Sequence, residues 1–310
     1  MRFLLPFALT ASFASLAVAA DKSIDADVQA VFAELRTLKS MDQRQTYTLS
    51  ARGEKLTGRN DDFLRRRTAD EIATSKLSCG CGDYAVVFAE RMHARGFDTL
   101  LIDSAAISVH SLINKFDGHV VVAIRPSDAP KSQWWLVDST ALNFISHDWS
   151  PDAKSFTNSA GSTFWIGYCG PVENYPVNTP DELKKFYGET LAKVPAEFFN
   201  AHLFRLTFTV DKSLVDEKGA LLNPRVNLLE RAQQEIFAKY GIKPAREIPI
   251  LLVRGGNDAS GDLNLVDGKW VSRVGLKSAC SPSFLSWLDQ RAHGLEQHAQ
   301  RVAPLTQRAK

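Results

Sequence analysis

Apolar positions recur at helical spacing in several stretches of the chain and alternate at strand spacing in others. Ile24, Val28, Val31, Phe32, Leu35 and Leu38 fall on one face of a helix predicted over 23–39, with Ser23 or Asp25 as its cap. Residues 41–60 are polar and broken by Gly53 and Gly58, which predicts loop with at most one short strand. Residues 61–75 read as one helix or two short ones, with Thr68-Ala69-Asp70-Glu71 as a fresh N-terminal start. The segment 77–96, LSCGCGDYAVVFAERMHARG, passes from a Gly-rich turn directly into a helix that is apolar on more than one face and stops at Gly96. Strands are predicted over 98–103, 119–125 and 134–138, and a surface loop over 104–117.

The turn-rich residues 126–133 make the second and third of these strands an antiparallel hairpin. With Arg125 facing Trp134, Asp138 lies opposite Val121, and His119 shares the face of Val121 two residues away. Diagonal neighbours of this kind lie roughly 7–8 Å apart, within reach of an imidazole and a carboxylate. Residues 150–181 are rich in Ser, Asn, Thr, Gly and Pro and read as loops or a linker, in which Trp165, Tyr168 and Tyr175 either wall a groove or pack on the core. Beyond it come a helix over 180–193, a strand over 204–210, a helix over 226–240, a strand over 248–254 and a strand pair at 263–266 and 270–274. These compose a small C-terminal α+β domain.

Composition changes this picture little. The 310 residues are 45% hydrophobic and 23% charged, with a net charge of +2, so no general argument for a nucleic-acid partner arises. Residues 1–20 carry Arg2, a short apolar run and Ala17-Val18-Ala19, the pattern of a secretory signal peptide rather than a membrane span. The expected location is therefore periplasmic or secreted. The expected organisation is a signal peptide over 1–20, a helical segment over 21–67, a core over 68–150, a linker over 151–180, the C-terminal domain over 181–293 and a tail over 294–310.

Export places Cys79, Cys81, Cys169 and Cys280 in an oxidising compartment. A Cys at the mouth of a buried helix is stabilised as thiolate by the helix dipole, although many such cysteines are packed only as small hydrophobes. A working Cys81 has to stay reduced. Cys169–Cys280 is then the preferred disulfide; a Cys79–Cys81 bridge, strained across one glycine, is the alternative that switches the nucleophile off. The lone Cys79-Gly80-Cys81 lacks the second ligand pair of a tetrahedral zinc site, so no metal or other cofactor is expected. Arg65-Arg66-Arg67 reads as a solvated face before an acidic-substrate grip. The run 255–262 fits neither a calcium loop nor a phosphate loop and reads as a hairpin turn.

Gly80-Cys81-Gly82-Asp83-Tyr84-Ala85, Arg95-Gly96-Phe97, Gly118-His119-Val120 and Trp135-Leu136-Val137-Asp138-Ser139, together with Thr68-Ala69-Asp70-Glu71-Ile72, resemble the transglutaminase-like superfamily of papain-like cysteine enzymes. The resemblance spans Thr68 to Thr140. It implies an α+β fold in which the Cys helix packs on an antiparallel sheet bearing the His and Asp. It also implies Cys81 as nucleophile, His119 as general base and acid, and Asp138 as the orienting group. The Cys81 backbone N–H is one oxyanion donor by its place at a helix start, and Tyr84 is a weak second. Cys79 is a departure from the family's pattern. The implied activity is amide hydrolysis through a thioacyl enzyme, on a protein, peptide or small amide. Alternatives are a transamidase, with Trp134, Trp135 or Trp165 lining a dry tunnel, and a non-catalytic binding domain.

Overall fold

A computed structural model describes residues 24–114, 117–129, 133–222, 228–255, 262–266 and 269–274. The expected signal peptide, most of the run 255–262, Cys280 and the C-terminal tail lie outside them. The protein is a mixed α+β chain whose largest sheet has six strands. By contact density it divides into two interleaved units. The first comprises Met1–Ile102, Val120–Pro151 and Cys169–Pro180; the second comprises Asp103–His119, Asp152–Tyr168 and Asp181–Lys310.

In the first unit, helix α1 (24–35) buries Val28, Val31, Phe32 and Leu35, the face set by its apolar spacing. Phe32 meets Phe88 of helix α3 (Cys81–His93) with ring centroids 5.7 Å apart. Helix α2 (Ala69–Ser75) starts at Thr68 through a reciprocal capping box with Glu71, as the sequence predicts. Arg91 of α3 bonds Glu34 at 3.0 Å and Asp70 at 3.1 Å, tying the three helices together. Strands β1 (Lys39–Ser40) and β4 (Leu77–Ser78) pair in parallel, so the chain entering the Cys81 turn is held by the segment leaving α1.

The expected loop at 41–60 is instead a hairpin of strands β2 (Tyr47–Ala51) and β3 (Glu54–Gly58). Its alternation is weak because one face stays wet; Leu49 and Leu56, paired across it, pack with Met41, Phe63 and Cys79 in a small apolar cluster. Arg52 and Gly53 both take positive φ, 54° and 84°, the backbone of a two-residue hairpin turn. Glu71 clamps this turn: its carboxylate accepts from the Ser50 hydroxyl and from the backbone N–H groups of Arg52, Gly53 and Thr68. Burial alone raises the Glu71 pKa, but these hydrogen bonds together outweigh it and bring it down to about 2.

The six-stranded sheet has the order β8-β7-β6-β5-β10-β9, built from β5 (Phe97–Ala106), β6 (Gly118–Pro126), β7 (Trp134–Asp138), β8 (Asn143–Trp149), β9 (Ser155–Thr157) and β10 (Thr163–Gly170). Strands β6 and β7 pair antiparallel with Val122 against Val137, Ala123 against Leu136 and Ile124 against Trp135. This is the register expected from the sequence. Two differences stand out. β5 runs on to Ala106 and is followed by helix α4 (Val109–Asn114), where a loop was expected, because Leu101 to Val109 are all buried. Residues 150–181 hold β9 and β10 rather than loops alone; Phe156 and Phe164 stack 5.2 Å apart and anchor that pair.

The second unit also carries helices α5 (Pro180–Ala192), α6 (Ala196–His202) and α7 (Leu228–Tyr240) with strands β11 (Phe204–Val210), β12 (Arg246–Arg254), β13 (Asp262–Val266) and β14 (Lys269–Val274). The strand order is β11-β12-β14-β13, parallel except for the β13–β14 hairpin. All four strands and both helices, α5 and α7, occur close to their expected positions. Among the described residues no helix is long and apolar enough to cross a membrane.

The Glu71 clamp generates a prediction about acid stability. A carboxyl whose folded pKa lies near 2 against an ordinary value of 4.5 stabilises the fold fully above pH 4.5, and the contribution is lost as pH falls from 4.5 towards 2. Glu71→Gln should therefore melt at a lower temperature than wild type at pH 6, with the gap closing at pH 2.5. Thermal melts across that range test it; parallel curves would show that Glu71 carries no linked proton.

Candidate active site

Cys81 is the first residue of α3 and half-buried, while the helix behind it buries Gly82, Asp83, Ala85, Val87, Phe88, Ala89 and Met92. Its cap is Gly80, with φ 148° and ψ −166°, a region open essentially to glycine alone. A Cβ at Gly80 would meet nothing within 4 Å, so the requirement is purely conformational. The Gly80 carbonyl accepts the Asp83 N–H at 3.1 Å and starts the helix. The chain thus turns sharply and sets the Cys81 thiol on the first turn, where the positive end of the dipole favours a thiolate.

What holds this turn is a buried charge cluster that sequence reasoning missed. Asp83, 3% exposed, accepts the Cys79 N–H at 2.9 Å and the Cys79 thiol at 3.1 Å, and pairs with the guanidinium of Arg67. Arg67 is 5% exposed and also donates to the Leu77 carbonyl at 2.7 Å and the Ser75 hydroxyl at 3.1 Å. The reading of Arg65-Arg66-Arg67 as a solvated face therefore fails at Arg67, whose charge is neutralised inside. Ser78 completes the turn, its hydroxyl accepting the Gly80 N–H at 3.1 Å.

Cys79 and Cys81 are thus distinct thiols. Burial, then the charge of Asp83, pushes the Cys79 thiol well above its ordinary range, and it stays a protonated donor packed beside Met41 and Phe63. No disulfide joins the three described cysteines, Cys79, Cys81 and Cys169, so the strained Cys79–Cys81 bridge is not formed. The expected partner of Cys169 lies outside the described residues. Tyr84 is half-buried, and burial followed by the Asp83 charge raises its phenol pKa, which keeps it a hydrogen-bond donor.

Asp138 ends β7 and is 1% exposed. Its Oδ1 accepts the N–H groups of Thr140 at 3.0 Å and Ala141 at 2.9 Å, and it pairs with Asn143 across the turn into β8. It therefore caps the turn after β7. Continued by one pair, the β6–β7 register sets Val121 against Asp138, with His119 two residues earlier on Val121's strand. Cys81 and Asp138 belong to the first unit, whereas His119 closes a segment of the second.

In the second unit His119 is half-buried, its ring 5.4 Å from that of Phe164, and its carbonyl accepts the Ser104 hydroxyl at 2.7 Å. A Cβ on the preceding Gly118 would lie 2.4 Å from both the Ser104 carbonyl oxygen and the Tyr187 ring, so only glycine fits there. Tyr187 in turn donates to the buried Asp103 at 3.0 Å. The local backbone of His119 is fixed by this packing. Among the described residues no cluster of His, Cys, Asp and Glu has the arrangement of a metal site.

No protein-family model, curated protein or solved structure matches the chain.

The turn makes two quantitative predictions. Gly80→Ala should destabilise the fold by about 1–3 kcal/mol through strain alone. Asp83→Ala should cost about 3–5 kcal/mol because it leaves the Arg67 charge buried without its partner. Urea unfolding of both variants checks the pair; an Asp83→Ala effect no larger than that of a surface substitution would contradict the cluster's role.

Proposed function

We propose that the protein is an exported cysteine-dependent amide hydrolase with a papain/transglutaminase-like core, in which Cys81 is the nucleophile, His119 the general base and acid, and Asp138 the orienting carboxylate. The observation that carries this reading is the turn at Gly80: a glycine-only backbone presents one half-buried cysteine on the first turn of a buried helix. A backbone that only glycine adopts, and that no packing contact requires, is found at sites that do chemistry. The β6–β7 register that was expected for His119 and Asp138 is a second, independent support.

The steps follow from those roles. The Cys81 thiolate, paired with the His119 imidazolium, attacks the amide carbonyl carbon and forms a C–S bond. The oxyanion is met by first-turn backbone N–H, with the Tyr84 phenol as the second donor in this proposal. The imidazolium gives its proton to the departing nitrogen as the C–N bond breaks, leaving a thioester and free amine. Water then attacks the thioester, His119 takes its proton, and the carboxylic acid leaves with the thiolate restored. Asp138 holds the imidazole in one tautomer and stabilises its charged form.

Hydrolysis is preferred to transamidation because water is the abundant acyl acceptor outside the cytoplasm; each tryptophan considered for an acceptor tunnel has an aromatic or cationic neighbour. The Arg125 guanidinium covers Trp134 at 4.4 Å, Trp135 packs on Phe144 and His147, and Trp165 packs edge-on to Phe198.

The test is a peptide mixture incubated with the mature protein and analysed for new amino termini. Cys81→Ala and His119→Ala should each abolish their appearance while leaving the circular dichroism spectrum unchanged, and Asp138→Asn should slow it less than either. Cleavage at full rate by Cys81→Ala would overturn the assignment, and full rate in His119→Ala would remove the base. A wild-type protein that cleaves nothing yet retains a peptide would instead support the binding-domain alternative.

A further inference from the structure

Strand β6 starts at Gly118, so His119 is only the second residue of its strand, a place where ladders fray. Behind it lies a chain of buried polar groups. The Tyr187 phenol donates to Asp103 Oδ1 at 3.0 Å. The same oxygen accepts the Ser104 N–H at 2.8 Å, and the Ser104 hydroxyl donates to the His119 carbonyl at 2.7 Å. Asp103 and Ser104 are 0% exposed and Tyr187 3%, beside the buried apolar Ala105 and Ala106. All of these residues belong to the second unit.

This chain crosses the sheet. The Ala106 N–H donates to the Asp117 carbonyl at 3.0 Å, which by antiparallel counting sets Ser104 opposite His119, with both side chains on one face. Asp103 points to the other face, the one α5 covers, since a Cβ on Gly118 would strike the Tyr187 ring. Two glycines seat α5 there. Gly118 admits Tyr187, and a Cβ on Gly167 of β10 would lie 2.3 Å from Thr190 Oγ1 and 2.6 Å from the Phe186 ring. Helix packing alone needs none of this polarity. Burying a carboxylate is costly, and an apolar residue at 103 would attach the helix as well. What a satisfied polar network adds is geometry, because each bond fixes the next group along. Here the last group is the backbone of the proposed base.

We infer that Tyr187 and Ser104 are positioning residues for the reaction, holding the His119 backbone through Asp103 so that the imidazole keeps one place. The inference rests on the pairing of Cys81 with His119 proposed above. Neither residue touches substrate. The phenol fixes the Asp103 carboxylate, the carboxylate fixes the Ser104 backbone, and the Ser104 hydroxyl fixes the His119 carbonyl. The Phe164 ring, 5.4 Å from the imidazole, limits its swing. A base held in one place stabilises a thiolate below the ordinary thiol pKa all of the time. A base that drifts with a fraying strand end does so for a fraction of it.

Alkylation of Cys81 by iodoacetamide at pH 6 and at pH 9.5, followed by peptide mapping of the mature protein, tests this. Tyr187→Phe deletes one hydroxyl and keeps the ring against Gly118; Ser104→Ala deletes only the hydroxyl that reaches His119. Each should slow the reaction at pH 6 by about fivefold, the size of one hydrogen bond. Each should leave the rate at pH 9.5 unchanged, where a thiol of ordinary pKa, ~8.5, is mostly thiolate without help. In a His119→Ala background neither substitution should slow the pH 6 reaction further, because the group they position is gone. A merely structural role would move the rates at both pH values alike, or act equally with and without His119; either result overturns the inference. So does a wild-type rate at pH 6 that both variants keep. Failure of the hydrolase reading looks different: wild-type Cys81 itself would then react slowly at pH 6.

Discussion

The buried Asp83 carboxylate is the interaction on which the candidate site depends. It accepts two donors from Cys79, one from backbone and one from sulfur, and carries the charge of Arg67. Without it the segment Ser78-Cys79-Gly80 would have no reason to hold the glycine-only turn that starts α3. A desolvated ion pair contributes little net stability against an apolar alternative of the same shape, yet it fixes geometry, because either charge left alone is expensive. The position of Cys81 is thus specified by electrostatics behind it and by Gly80 in front of it. Cys79, two residues away, is a structural thiol locked as a donor.

Around that turn the first unit is layered outward in steps. The β1–β4 pairing fixes the incoming chain, the β2–β3 hairpin packs on the Cys79 side, and Glu71 clamps the hairpin's turn to the start of α2. One consequence of the clamp is the placement of Arg52, which enters the same cavity as Arg65. The hydrogen bonds of the clamp hold Arg52 at its positive φ.

Much of this was legible in the sequence where a pattern is enforced by burial. The β-branched run of β6 and the aromatic start of β7 set a register that the structure reproduces pair for pair, because a slip of one residue would turn Val122 and Val137 to the wrong face. The capping box at Thr68 and Glu71 was readable for the same local reason. Strands β2, β3, β9 and β10 were not, since each is short or half-wet and Ser, Thr and Gly dilute its alternation. Arg67 was misread because a charge run looks solvated until its buried partner is known, and Asp83 lies 16 residues further along. The positive φ of Arg52 and Arg65 leaves no compositional trace at all.

The claim that Cys81 is an activated nucleophile is tested most directly by alkylation of the reduced mature protein with iodoacetamide as pH is lowered, mapped cysteine by cysteine. A thiol of ordinary pKa, ~8.5, is almost wholly protonated at pH 6 and reacts slowly. The account predicts that Cys81 still reacts rapidly at pH 6, that Cys79 does not react in the folded state, and that His119→Ala removes the advantage of Cys81. Slow and similar reaction of all the thiols at that pH would contradict it.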